Sequence, residues 1–226
     1  MTDAALEYWE GSEPSSGSFC PEAALFRFLG SLGTQLHGSR VLEVGCGANR
    51  GVSLSECRRR GAEAFGTDLS EDLLSSARSA DPELHLSRSR AGVEPLPFDG
   101  VTFDVMFVID VLYYLSDEEI RSFLVDARER LTEDGVLVIQ FIEADICGLE
   151  LGASRQGLDV NAESISVRSI AEASNPIRWL IEKDILGAAI ECGLVLAGRK
   201  IHVESYDLEG VEVRFRRFLA LRRGTR

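Results

Sequence analysis

Between residues 41 and 51 the chain reads Val41-Leu42-Glu43-Val44-Gly45-Cys46-Gly47-Ala48-Asn49-Arg50-Gly51. This is a short apolar run, an acid, two glycines one residue apart, and the opening of a helix. No other stretch restricts the fold as strongly. Val41 to Val44, apolar but for one acid, suits a strand buried on both faces of a parallel sheet. Gly45 and Gly47 lack a Cβ, so the backbone can turn sharply there and approach a ligand. In open α/β sheets a nucleotide-like cofactor above the carboxyl end of the first strand is the usual reason for that arrangement. The glycines alone also fit an ordinary strand–turn–helix corner, so the residues downstream of them decide.

A helix is expected next, with Leu54, Cys57 and Gly61 on one side and Arg58, Arg59 and Arg60 near its end. Basic residues there complement the helix dipole, and Gly61 is placed to cap it. Ala62 to Asp68 then reads as a second strand ending in a carboxylate. Asp68 lies 21 residues beyond Gly47, close to the spacing of about 20 at which an acid meets the ribose hydroxyls of an adenine nucleotide. An ionised Asp is acceptor-only and can take both protons of a vicinal diol. The alternative is a helix cap, a role for which Ser70 competes.

With these residues in hand the chain resembles a family. Glu43-x-Gly45-x-Gly47, Asp68, Glu94-Pro95-Leu96-Pro97-Phe98 before Phe103-Asp104-Val105, and Leu131-Thr132-Glu133-Asp134-Gly135-Val136-Leu137 come in this order across residues 40–142. They are similar to the ordered motifs of class I S-adenosylmethionine-dependent methyltransferases, closest to the branch with the ubiquinone/menaquinone and small-molecule enzymes. The resemblance implies an α/β, Rossmann-like, doubly wound sheet of seven strands with an antiparallel last strand. It implies S-adenosylmethionine as cofactor, with contacts from Glu43, Gly45, Cys46, Gly47 and Asn49. Asp68, Leu69, Arg90, Ala91 and Ile109 complete that expected set. Two departures stand out: Asn49 replaces the family's third glycine, and Ser89-Arg90-Ala91-Gly92 stands where an acid often binds the adenine amino group. Asn tolerates positive φ better than other non-glycine residues, and the adenine contact is expected from the backbone near Arg90 and Ala91.

With 226 residues the chain suits one α/β domain. A net charge of −13 argues against nucleic acid or an anionic membrane as partner. Five cysteines, at 20, 46, 57, 147 and 192, form no Cys-x-x-Cys pair, so neither a disulfide framework nor a metal site is expected. Cys46 reads as filler between the motif glycines. Without a signal peptide or a membrane-length apolar run, the expected compartment is the cytoplasm. Oligomeric state has no signature in these residues.

Residues 1–38 read as an arm, in which Tyr8 and Trp9 are either a lid or an anchor, followed by a helix opened by Pro21 with Leu25, Phe28, Leu29, Leu32 and Leu36 as its stripe. Residues 39–142 form the cofactor-binding core. Within it, Leu84 to Leu86 is a third strand and Phe103 to Ile109 a fourth. Ser116-Asp117-Glu118-Glu119 is a capping box opening a helix, and Val136 to Ile142 is a fifth strand after a turn at Glu133-Asp134-Gly135. Residues 143–180 are expected to be a partly helical substrate lid. Residues 181–226 close the domain with a helix and a β-hairpin, Leu194 to Val203 and Val211 to Leu221, in which His202 is structural.

Asp110, Tyr113 and Tyr114 come after the fourth strand at the carboxyl edge, where ligands of open sheets bind. They are the candidate catalytic residues, Asp110 as base and the tyrosines to orient a small-molecule acceptor, methylated at oxygen or nitrogen. Methyl transfer needs donor and acceptor held in line, which supplies roughly 7–11 kcal/mol of the barrier; a base adds about 10²–10⁴-fold. Two rivals remain open. A nicotinamide-dependent oxidoreductase would need glycine where Arg50 stands, and a non-catalytic cofactor or partner binder of the same fold would keep the cofactor without turnover.

Overall fold

The computed structural model describes residues 22–142, 180–207 and 211–224. Tyr8, Trp9 and most of the expected lid lie outside them. Seven strands run β1 (Arg40–Val44), β2 (Glu63–Asp68), β3 (His85–Arg88), β4 (Phe103–Ile109), β5 (Leu131–Ile142), β6 (Leu194–Asp207) and β7 (Val211–Arg223). They form one sheet in the order β3-β2-β1-β4-β5-β7-β6. β1 to β5 pair parallel, while β7 is antiparallel to both β5 and β6. This is the expected doubly wound sheet with its antiparallel last strand.

Helices cover both faces because successive strand residues point to opposite sides. On one face α1 (Glu22–Ser31), α2 (Val52–Arg59) and α3 (Glu71–Ala80) pack Leu25, Phe28, Leu54 and Leu74 against Val41, Val105, Phe107, Val136 and Phe218. On the other, α4 (Asp117–Arg130) and α5 (Glu182–Glu191) set Ile120, Phe123, Ile185 and Ala189 over Leu42, Met106, Val108, Leu137 and Phe141. No helix among the described residues is long and apolar enough to cross a membrane.

Three expectations are corrected. The first helix stops at Ser31 instead of running to Leu36: Gly33 takes a left-handed φ of +71°, and Thr34 N–H turns back to the Leu29 carbonyl. Leu36 remains buried all the same. The fifth strand starts at Leu131, which already pairs with Phe103, and a register shift takes up the extra residues of the expected turn. Asn49 is not the left-handed residue of the glycine loop; Arg50 and Gly51 are, at φ 58° and 67°. The Asn49 side chain stabilises them, its Oδ1 accepting from Gly51 N–H at 3.0 Å.

The capping box at Ser116 is present, with Glu119 N–H donating to the Ser116 hydroxyl and Ser116 N–H to the Glu119 carboxylate. From the far end of the same helix, Arg130 donates to the Leu96, Pro97 and Phe98 carbonyls. The Leu-Pro-Phe loop is thereby tied to α4.

Candidate functional site

Both motif glycines have a steric reason. Gly45 has φ +82°, and a Cβ there would lie 2.3 Å from Val111 Cγ2. A Cβ on Gly47 would lie 2.5 Å from Leu73 Cβ and 3.0 Å from the Asp68 carboxyl. Most of the loop's amides also hydrogen-bond internally. Gly45 and Cys46 N–H both donate to the Thr67 carbonyl, at 2.7 and 3.0 Å, and Gly47 N–H donates to Asp68 Oδ2 at 2.9 Å. Arg50 N–H goes to Gly47 O, Gly51 N–H to Cys46 O, and Val52 N–H to Asn49 O. These amides face the second strand and their own turn, so they present no cradle to a phosphate.

Asp68 is 8% exposed. Its Oδ1 accepts from Ser70 N–H at 3.0 Å, while Ser70 itself caps α3 by accepting from Leu73 N–H. Burial pushes the Asp68 carboxyl above its ordinary range, against the backbone donors of Ser70, Gly47 and Leu69. Each oxygen keeps a further acceptor position.

Above these residues lies a cavity of about 280 Å³ that runs along the carboxyl ends of four neighbouring strands. The end of β3 contributes Ser89 and Ala91, β2 contributes Asp68 and Leu69, and the β1 loop contributes Gly45 and Ala48. β4 contributes Ile109 and Asp110, and the turn after it Val111, Tyr113, Tyr114 and Leu115. The order β2-β1-β4 places this cavity where the winding reverses, the ligand position of open α/β sheets.

Eight of the residues expected at the site therefore meet in one cavity: Gly45, Asp68, Leu69, Ala91, Ile109, Asp110, Tyr113 and Tyr114. Glu43, Cys46, Gly47, Asn49 and Arg90 do not line it. Gly47 and Asn49 build the loop. Cys46 is fully buried, its sulfur crowding the position a Gly66 Cβ would take. Burial, then the charges of Glu43 and Asp68, push that thiol well up, so it is packing and no nucleophile. Arg90 N–H is used by Glu94 Oε2 at 2.8 Å. Glu43 is 2% exposed and held between Gly66 and Phe107 in the ladders.

At the β4 end Asp110 adopts φ +56°, an uncommon conformation outside glycine that clusters at functional sites. Arg216 from β7, 4% exposed, donates to Asp110 Oδ2 at 2.5 Å. The Tyr113 and Tyr114 rings meet edge-on with centroids 4.8 Å apart. Burial, then the Asp110 charge, push the Tyr113 phenol well above its usual range despite Arg216. Tyr113 is thus a hydrogen-bond donor and not a base. Sequence reading missed Arg216, because its partner lies 106 residues away and no local motif marks it. Ser89 had a signal, as the hydroxyl in the segment where an acid was expected.

A family model described as a methyltransferase domain matches residues 42–139. A phthiotriol/phenolphthiotriol dimycocerosates methyltransferase of Mycobacterium ulcerans is 28% identical over 193 residues, 81% of this chain and 68% of that protein. The magnesium protoporphyrin IX methyltransferase of Synechocystis, solved with S-adenosylhomocysteine, is similar with a TM-score of 0.66 at 18% identity, covering 90% of this chain and 82% of that one. A Pyrococcus horikoshii protein has a TM-score of 0.70 at 16% identity, covering 96% and 98%. The ordered motifs and the matched methyltransferase domain over residues 42–139 agree with one another, and the 3-2-1-4-5-7-6 sheet is the fold shared with solved S-adenosylmethionine-dependent methyltransferases.

Proposed function

We propose that the protein methylates a small-molecule acceptor at oxygen or nitrogen, with S-adenosylmethionine in the cavity over β3, β2, β1 and β4. The observation that carries this reading is the shape of the site: one elongated cavity, a diol-competent carboxylate at its middle, and a polar aromatic cluster at the β4 end. The residues fit the cofactor. Gly45 lines the cavity with Val111 packed where its Cβ would stand, Asp68 retains acceptor capacity for two hydroxyls, and Ser89 offers a buried hydroxyl without a partner. A dinucleotide fits less well, because the amides of Gly45, Cys46, Gly47, Arg50, Gly51 and Val52 are already bonded within the protein and are not offered to a pyrophosphate.

When bound, the cofactor supplies a sulfonium methyl group and leaves as the thioether S-adenosylhomocysteine. The chain's own task is then placement. Tyr113, held as a neutral phenol, donates to the acceptor, and Tyr114 packs against it. Asp110, oriented by the Arg216 guanidinium, accepts the proton that an oxygen or nitrogen acceptor gives up. The acidic net charge and the two named relatives, methyltransferases of individual compounds, favour a small molecule over nucleic acid.

Calorimetric titration with S-adenosylmethionine and S-adenosylhomocysteine, beside NADH, tests the cofactor half. Micromolar binding of the first two, at least about tenfold weaker in Asp68→Ala, is expected, with none for NADH. Binding of NADH alone would sink the reading. An acceptor screen that tracks S-adenosylhomocysteine release tests the other half. With any acceptor it finds, Asp110→Asn is expected to lower kcat by about 10²-fold or more while cofactor affinity holds. Equal losses in both would remove Asp110 from the chemistry.

A further inference from the structure

The β3 end of the cavity carries Ser89, a hydroxyl in the segment where an acid was expected and one that the reaction itself does not use. Ser89 is 6% exposed, and its Oγ is buried without a hydrogen-bond partner. It nevertheless lines the cavity beside Asp68, Leu69 and Ala91. Its position is fixed, because Ser89 N–H donates to the Asp68 carbonyl at 2.9 Å, one step past the last ladder pair, Asp68 with Arg88. A buried hydroxyl left unpaired costs about 1–3 kcal/mol. Alanine would remove that cost, unless a ligand supplies the missing bond.

The neighbours indicate which part of a ligand. With Asp68 taking the ribose, as proposed, the reacting end lies at Asp110, two strands away on the far side of the loop. The base therefore extends the other way, over Leu69 toward Ser89. The acids lining the cavity among the described residues are Asp68 and Asp110. Glu94, the nearest acid in sequence, is turned to Arg90 N–H. The base thus meets a hydroxyl where an acceptor-only carboxylate would demand a donor.

We infer that Ser89 binds the polar edge of the cofactor's purine through a hydroxyl that both donates and accepts, so that the site tolerates a 6-oxo purine almost as well as adenine. A 6-amino group donates to Oγ; a 6-oxo group accepts from the Ser89 O–H. A carboxylate could serve only the first, and would meet the second with two facing acceptors.

This rests on the proposed cofactor site, and the experiment separates the two. S-adenosyl-L-homocysteine and S-inosyl-L-homocysteine are titrated calorimetrically into the wild type, Ser89→Ala and Ser89→Asp, with ligand-free melting curves to show that each variant folds. The wild type is expected to bind both within about tenfold of each other. Ser89→Ala should weaken both by about 3- to 10-fold with an unchanged or higher ligand-free Tm. Ser89→Asp should prefer the adenine compound by about 30-fold or more. Wild-type preference for adenine above about 100-fold, or Ser89→Ala binding both compounds like the wild type, overturns the inference while leaving the cofactor site standing. Wild-type protein that binds neither compound overturns both.

Discussion

Gly47 and Ser70 N–H both donate to the Asp68 carboxylate, so this residue ties the glycine loop to the next helix before any ligand arrives. Burial holds its pKa above the ordinary 3.8, which means that the unfolded chain ionises first. The stability contributed by Asp68 is therefore full below 3.8 and falls as pH rises through the raised value. With the ribose contact proposed above, ligand binding runs the other way, since two hydroxyl donors favour the ionised form. Affinity for S-adenosylhomocysteine is expected to fall on acidification while the pH is still above 3.8, with a proton released on binding. Titration in two buffers of different ionisation enthalpy reads that proton. Affinity that stays flat down to 3.8 would detach Asp68 from the ligand. At the opposite end, Arg216 is almost wholly buried and Asp110 about a quarter exposed. Arg216→Met should cost roughly 2–4 kcal/mol in urea denaturation, near the low end for a buried pair because Asp110 is partly solvated. Adding Asp110→Asn, which tolerates the left-handed backbone, should recover part of that loss through a coupling of about 0.5–3 kcal/mol. Strict additivity would mean that the pair is not coupled.

β5 lies between β4 and β7, and its backbone is paired on both edges around Gln140. The Gln140 side chain is fully buried, and both its amide oxygen and its nitrogen lack partners. By strand alternation it lies on the face of Val136 and Val138, beneath the α1 layer. A buried amide of this kind costs about 1–3 kcal/mol, and methionine of similar length carries no such cost. Gln140→Met is therefore expected to stabilise by about 1–2 kcal/mol, raising Tm by roughly 2–8 °C for a chain of this size. A lower Tm together with weaker cofactor binding would show instead that the amide serves a ligand. α4 is set differently: its capping box and its acidic first turn satisfy the helix start locally, just after the short turn Leu112–Tyr114 that carries both tyrosines.

For the whole molecule, the cavity touches four strands and the turn after β4, so a ligand there couples to global unfolding. Saturation at 100 times Kd adds about 2.7 kcal/mol, an expected Tm rise of roughly 5–11 °C. Thermal melts with S-adenosylhomocysteine check this, with NADH as the comparison expected to leave Tm unchanged. A local lid contact without global coupling would shift Tm by far less.

Much of this was legible in the residues because it is local. The strand–Gly-x-Gly–helix corner, the strand ending at Asp68, the capping box at Ser116 and the Asp110-Tyr113-Tyr114 segment are each set by neighbours a few positions apart. Their backbone and hydrogen-bonding preferences act within that range. The long-range pairings were not legible. Arg216 reaches Asp110 from a strand 106 residues on, Val111 closes over Gly45, and Ser89 becomes an unpaired hydroxyl only once β3 aligns beside β2. Cys46 and Asn49, adjacent in the motif to cavity residues, were turned into packing and loop support by the same assembly. Propensity and spacing carry the first kind of information. The second arises when distant segments exclude water together and choose which polar groups pair and which stay open to a ligand.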